Sequence, residues 1–136
     1  MRYLAVDLGD KRTGLAIGDD ELRMAQPICV LEVPIDKGLV DVIVKAIDEQ
    51  GVDAIVMGLP LNMDGSLGQR VALTKTFANQ LGKETNLPIH FQDERLTSSA
   101  AEEQLAGSGK THKQKKKIRD ALAAAEILND FLVALG

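Results

Sequence analysis

The sequence has no tryptophan, a single cysteine and few aromatic residues of any kind. Aromatic side chains make up 3% of the chain, so a core must be built from Val, Ile, Leu and Ala, which suits helices packed on a sheet. Cys29 cannot form an internal disulfide, which indicates a reducing compartment. No segment has the apolar length of a membrane helix or the pattern of a signal peptide. We therefore expect a cytoplasmic protein of the α/β class that does not bind membranes.

Length and charge predict one globular domain over residues 1–136 with a local basic patch. The hydrophobic content of 45% is sufficient for a packed core, whereas the net charge of −4 does not by itself favour nucleic acid binding. Residues 107–119 nevertheless contain no acidic residue and carry these basic ones: Lys110, Lys113, Lys115, Lys116, Lys117 and Arg119. Such a run is usually the solvated start of a helix. Its neighbour Asp120 favours a phosphate-binding patch instead.

Apolar periodicity predicts five strands and four helices. The predicted strands cover residues 3–7, 13–18, 27–33, 53–58 and 88–91. The predicted helices cover residues 37–50, 69–81, 97–106 and 113–135, with a glycine-rich joint at 107–109 between the last two. The first three strands are separated by short turns, so they form an antiparallel meander, and helical crossovers make the last two strands parallel to the first. The predicted fold is a five-stranded mixed sheet flanked by helices.

Two acidic residues follow predicted parallel strands. Asp7 ends the first strand, and Glu94 lies just past the fifth. The carboxyl ends of parallel strands share one edge of the sheet, where ligands bind in open α/β folds. We therefore expect these carboxylates to meet, although they are far apart in sequence.

Asp120 lies inside the last predicted helix, at the margin of its apolar face. Lys113, Lys116 and Lys117 precede it by seven, four and three residues and share its side of the helix. The surrounding sequence is rich in alanine, which would let this helix approach the sheet closely. We expect Asp120 to reach the edge that carries Asp7.

Each acid also has an ordinary structural explanation. Asp7 could simply end a strand, Glu94 could pair with Arg95, and Asp120 could pair with the preceding lysines. An acid at a buried strand end is costly unless it is paired or bound to a metal, however. Three such coincidences at one edge favour a site that cuts phosphodiesters with a metal ion.

Four segments, in this order along the chain, resemble the YqgF/RuvX family. They are VDLGDKRTGLA at residues 6–16, GLPLNMDGS at 58–66, DERLTS at 93–98 and DALAA at 120–124. The resemblance implies an RNase H-like fold and the activity of a Holliday junction resolvase or, in bacteria, of a nuclease that matures the 5′ end of pre-16S ribosomal RNA. It also implies that Asp7, Glu94 and Asp120 are the catalytic carboxylates.

Three carboxylates suit Mg²⁺ or Mn²⁺, because these hard cations bind oxygen ligands and keep several waters. In a site with two ions about 4 Å apart, one ion activates the water and the other stabilises the leaving oxygen. No side-chain nucleophile is then required. We expect Asp7, on the most central strand, to bridge the ions, with Glu94 and Asp120 as the other ligands.

Residues near these acids are candidates for binding nucleic acid. The turn after the first strand offers a glycine and two cations, and the loop before the second helix offers backbone N–H groups, although that loop could equally be a solvent turn. The candidates are Gly9, Lys11, Arg12, Asn62, Ser66, Arg95, Lys113, Lys116 and Lys117.

The paucity of aromatic residues argues against recognition by base stacking and favours recognition of backbone and shape. Precursor ribosomal RNA, alone or in ribosomal particles, and branched DNA are both compatible with this. Two alternatives come from other classes. One is a nucleotide-binding protein of the actin and sugar-kinase type, which residues 7–14 resemble but which needs two such halves. The other is a non-catalytic adaptor of the ribosome or transcription machinery, which would not need all three acids.

Overall fold

The computed structural model describes residues 1–60, 68–93 and 112–135; the side chains of Lys37 and of residues 112–117 are not described. The described elements are β1 (Arg2–Asp7), β2 (Thr13–Asp19), β3 (Ala25–Leu31), α1 (Lys37–Gln50), β4 (Ala54–Leu59), α2 (Gln69–Thr85), β5 (Ile89–Asp93) and α3 (His112–Leu135). Every strand and helix predicted within these ranges is confirmed. The predicted helix at 97–106 and the joint at 107–109 lie outside the described residues.

The strands form one mixed sheet in the order β3-β2-β1-β4-β5. The first three strands pair antiparallel, whereas β1 with β4 and β4 with β5 pair parallel. The predicted topology is therefore confirmed, and β1 is the central strand. β3 is an edge strand, which explains how it tolerates Pro27 within its length.

Side-chain alternation along the strands builds an apolar layer on each face of the sheet. Leu4 and Val6 pack with the buried face of α1 and with α2, while Tyr3 and Ala5 pack with α3 on the opposite face. The predicted apolar face of α1, formed by Leu39, Ile43 and Ile47, is fully in the core, and Gly51 ends this helix in the left-handed conformation at φ 65°.

The second helix is longer than its sequence pattern predicts. It continues from Leu81 through Gly82 to Thr85, and Asn86 ends it at φ 57°. The apolar stripe stops at Leu81, but the polar last turn is solvated and the left-handed cap is supplied by asparagine rather than glycine.

α3 contacts all five strands, and its sheet-facing side is centred differently from the predicted one. The helical wheel predicts an apolar face formed by Ile118, Ala121, Leu122, Ala125, Leu128 and Leu132. Leu122 is only half-buried, whereas Ala124, which lies outside the predicted face, is fully buried. Asp120 precedes Ala124 by one turn. It therefore lies in line with the buried side of the helix rather than at its margin. None of the helices in the described ranges combines the length and apolarity that crossing a membrane requires.

Candidate active site

Asp7 lies at the carboxyl end of the central strand, as predicted. It pairs with Gly14 of β2 and comes one residue after the pairing of Val6 with Met57 of β4. Strand alternation gives its half-buried side chain the same direction as Ala5, which packs in the layer covered by α3. Asp7 therefore faces the helix that carries Asp120.

At Gly14 the backbone of α3 approaches the sheet very closely. A β-carbon added to Gly14 would overlap the backbone of Asp120 and Ala121. Since Gly14 is the cross-strand partner of Asp7, this contact brings the backbone of Asp120 against the residue beside Asp7. The two acids are therefore brought to the same face and the same edge of the sheet, and their catalytic role stays a prediction.

Asp120 forms an ion pair that the sequence did not predict. Nε of Arg12 donates to Oδ2 of Asp120 at 3.0 Å, with 34% of the arginine side chain and 25% of the aspartate side chain exposed. Arg12 was expected to contact nucleic acid, and the alternative structural explanation of Asp120 paired it with the preceding lysines. The lysine side chains are not described, so the finding concerns Arg12 alone. It places a cation directly on one of the predicted metal ligands.

Arg70, at the start of α2, is a site residue that sequence reasoning missed. Its Nη1 donates to Oδ1 of Asp10 and its Nη2 to the carbonyl of Leu8, both at 3.0 Å. These bonds fasten the turn between β1 and β2 to the second helix. A basic residue in the first helical turn is unfavourable for the helix dipole. This unfavourable position in the helix is the feature of the sequence that could have indicated an acidic partner for Arg70.

Gly9 and Lys11 lie in the same turn. A β-carbon on Gly9 would overlap the carbonyl of Arg12, so closure of the turn is by itself a reason for glycine at this position. Lys11 is exposed to solvent. Their contacts with nucleic acid stay predictions.

Several predicted site residues cannot be located in this way. Asn62, Ser66, Glu94 and Arg95 lie outside the described residues, and for Lys113, Lys116 and Lys117 the structure gives only their place in α3. Within residues 1–60, 68–93 and 112–135, no three His, Cys, Asp or Glu residues are grouped so that they could hold a metal ion. The three-carboxylate site is therefore a prediction whose third member, Glu94, lies beyond these ranges.

Asp7 and Asp120 are suitable ligands for a hard divalent cation, because they offer oxygen donors that solvent can reach. Both are partly exposed oxygen donors at the open edge of the sheet, and Asp120 already binds a positive group there. With Glu94, Asp7 and Asp120 are the residues that would hold Mg²⁺ or Mn²⁺.

Cys29 and His90 are strand residues that we expect to have packing roles, and the structure shows packing contacts for both. Cys29 packs against the core layer of α1 and α2, and burial raises the pKa of its thiol, so it stays protonated at neutral pH. The His90 ring lies 5.1 Å from the Phe131 ring and 6.3 Å from the Tyr3 ring, between centroids.

Comparison with known proteins agrees with the sequence motifs. Residues 1–134 match the family described as RuvX, Holliday junction resolvase. A protein of Geobacillus kaustophilus named "Putative pre-16S rRNA nuclease" is 40% identical over an alignment of 136 positions that includes 97% of each chain.

Solved structures with the same fold include two resolvases. The fowlpox virus resolvase, in complex with Holliday junction DNA, superposes with a TM-score of 0.63 and 12% identity over 99% of each chain. RuvC of Thermus thermophilus gives a TM-score of 0.58 and 16% identity over 99% of this chain and 96% of that one. The predicted RNase H-like fold is thereby confirmed.

Proposed function

This chain belongs to the RuvX family, and we propose that it is a metal-dependent endonuclease that hydrolyses phosphodiester bonds in structured nucleic acid. The observation that carries the proposal is the contact of α3 with Gly14, which brings Asp120 to the edge that carries Asp7. Two carboxylates on one open edge, beside the cations Lys11 and Arg12, suit a phosphate-bound metal better than they suit a purely structural role.

The proposed substrate is the 5′ end of pre-16S ribosomal RNA, free or in ribosomal particles of the cytoplasm. The name of the Geobacillus kaustophilus relative supports this choice over a DNA junction. Resolution of Holliday junctions is the second candidate, supported by the family description and by the fold shared with the fowlpox virus resolvase. Both substrates are recognised through backbone and shape, which suits a chain so poor in aromatic residues.

In the proposed mechanism, Asp7, Glu94 and Asp120 would hold one or two Mg²⁺ or Mn²⁺ ions. Bound ions of this kind activate a water and stabilise the leaving oxygen of the phosphodiester. Lys11 and Arg12 orient the phosphate from the turn after β1. Arg70 holds that turn against α2 through its bonds to Asp10 and to the Leu8 carbonyl, which restricts the movement of the turn that carries Lys11 and Arg12.

A cleavage assay tests the proposal directly. We expect the protein to cut precursor 16S ribosomal RNA on its 5′ side with Mg²⁺ or Mn²⁺ and to be inactive with a chelator, with slower cutting of a synthetic four-way junction. Gel analysis of end-labelled substrates measures both. Cutting in the presence of the chelator would contradict the metal mechanism. Binding without cutting would favour the adaptor, and hydrolysis of ATP without nucleic acid cleavage would favour the nucleotide-binding alternative.

The lysines of α3 give a second prediction. Replacing Lys116 and Lys117 together by alanine should weaken binding of precursor RNA and flatten its dependence on salt. If each lysine neutralises one phosphate, the slope of the logarithm of the association constant against the logarithm of the salt concentration should become less negative by about 1.5. The matched control replaces Lys75 and Lys83 on α2, on the opposite face of the sheet, by alanine and makes the same change in net charge. Equal slopes for the two double variants would rule out a phosphate role for the patch.

A further inference from the structure

We propose that Arg12 is a positioning residue with two alternating partners: Asp120 before a divalent cation binds, and a substrate phosphate afterwards. This inference rests on the proposed function, since it requires Asp120 to be a metal ligand. It assigns to Arg12 a role in metal binding as well as in binding nucleic acid.

The pair is built so that it can exchange. A single guanidinium donor, Nε of Arg12, contacts Oδ2 of Asp120, and both side chains are partly exposed to solvent. A pair with one hydrogen bond and partial access to solvent contributes little to stability. The arginine can therefore leave the carboxylate without any rearrangement of the backbone.

The carboxylate does not depend on Arg12 for its place. Contact of Gly14 with the backbone of Asp120 and Ala121 fixes this turn of α3 against β2. Removing the guanidinium should therefore leave the backbone of Asp120 in place and take away one positive charge beside the carboxylate. A divalent cation on Asp120 would be repelled by that charge, so Arg12 and the cation compete for the same ligand.

The released guanidinium has an obvious second partner. Arginine binds phosphate through paired N–H donors, and Arg12 sits in the turn that borders the metal edge. A phosphate bound there would bring its own negative charge, which replaces the carboxylate as the counter-ion. Arg12 would thus neutralise Asp120 in the resting protein and the phosphate in the complex.

The neighbouring pair of Arg70 and Asp10 shows the contrast. Arg70 also donates at 3.0 Å, but a second bond to the Leu8 carbonyl ties it to the backbone, and its carboxylate partner is not a predicted metal ligand. Arg70 therefore stabilises the turn, whereas Arg12 pairs with a carboxylate that is also a proposed metal ligand.

Titration of the metal-free protein with Mn²⁺, followed by electron paramagnetic resonance, tests the inference without any cleavage. Arg12→Gln should bind Mn²⁺ about five- to tenfold more tightly than wild type, because the competing charge is gone. Lys11→Gln, which makes the same charge change in the same turn, should alter the affinity less than about twofold, because solvent screens the exposed Lys11. Arg12→Lys keeps the charge and should stay near wild type.

A second readout separates positioning from a merely structural role. With Ca²⁺ present to permit binding, Arg12→Gln should bind a synthetic four-way junction about five- to tenfold more weakly, opposite in sign to its effect on Mn²⁺. Simple damage to the site would weaken both. If Mn²⁺ binding requires Asp120 but is no tighter in Arg12→Gln than in Lys11→Gln, the inference is wrong and the proposed function stands. If Mn²⁺ does not bind at millimolar concentration, or binds equally to Asp120→Asn, both are wrong.

Discussion

Asp7→Asn is expected to reduce the rate of phosphodiester cleavage by about a hundred- to a thousandfold. Asp7 ends the central strand and faces the helix that carries Asp120. A metal ion contributes several kcal/mol to stabilisation of the transition state, and each 1.4 kcal/mol is about tenfold in rate. Asparagine has the same size but no charge, so it holds the cation poorly. The measurement is the single-turnover cleavage rate of precursor 16S ribosomal RNA at saturating Mg²⁺.

The matched control is Asp10→Asn. Asp10 lies three residues away in the following turn, is largely exposed and pairs with Arg70 rather than facing α3. The same loss of charge there should change the rate less than about threefold, since solvent screens it and Arg70 keeps its bond to the Leu8 carbonyl, which still holds the turn. Both variants should unfold within about 1 kcal/mol of wild type. A rate for Asp7→Asn equal to that of wild type, or equal losses in the two variants, would count against a catalytic Asp7.

The elements and strand order could be predicted because they follow from local patterns and from the geometry of connections. The spacing of Leu39, Ile43 and Ile47 predicts α1, and all three side chains are buried. Short turns allow only antiparallel pairing of the first three strands, and helical crossovers require parallel pairing of the rest. These constraints predict Asp7 at the carboxyl end of the central strand, where the structure has it.

The contacts that shape the site could not be predicted in the same way, because each joins residues far apart in the chain. Arg12 and Asp120 are 108 positions apart, and Arg70 reaches Asp10 and Leu8 across 60 and 62 positions. No periodicity selects Arg12 over the nearer lysines as the partner of Asp120. Which cation pairs with Asp120 depends on where α3 packs against the sheet, and the absence of a side chain at Gly14 permits that packing.

The apolar face of α3 illustrates the same limit. The helical wheel predicted both Leu122 and Leu128 on the apolar face, but only Leu128 is buried, and the fully buried Ala124 lies outside that face. The sheet presents small residues, Ala5 and Ala16, to this helix, so the closest approach is made by alanine rather than leucine. Size complementarity between two surfaces decided the rotation of the helix, and the rotation brought Asp120 in line with the sheet.

Gly14→Ala is expected to lower the free energy of unfolding by about 3 kcal/mol. The added methyl group would overlap the backbone of Asp120 and Ala121, and backbone cannot swing aside as the end of a side chain can. α3 would have to move away from β2, which opens the packed layer on that face; overpacking of this kind costs up to about 3 kcal/mol. Since small domains are stable by about 5–15 kcal/mol, the variant should still fold. Urea unfolding with an unchanged m-value measures the loss.

Gly82→Ala is the matched control for this change. Gly82 lies within α2, and its added methyl group would meet only the flexible end of Ile89 at 3.3 Å, while alanine favours the helix by about 1 kcal/mol. Its stability should therefore stay within about 1 kcal/mol of wild type. Folded Gly14→Ala should also bind Mn²⁺ more weakly than Gly82→Ala, because displacement of α3 carries Asp120 away from Asp7. If Gly14→Ala matched the control in both stability and Mn²⁺ affinity, the contact between β2 and α3 would not be what holds the two carboxylates together.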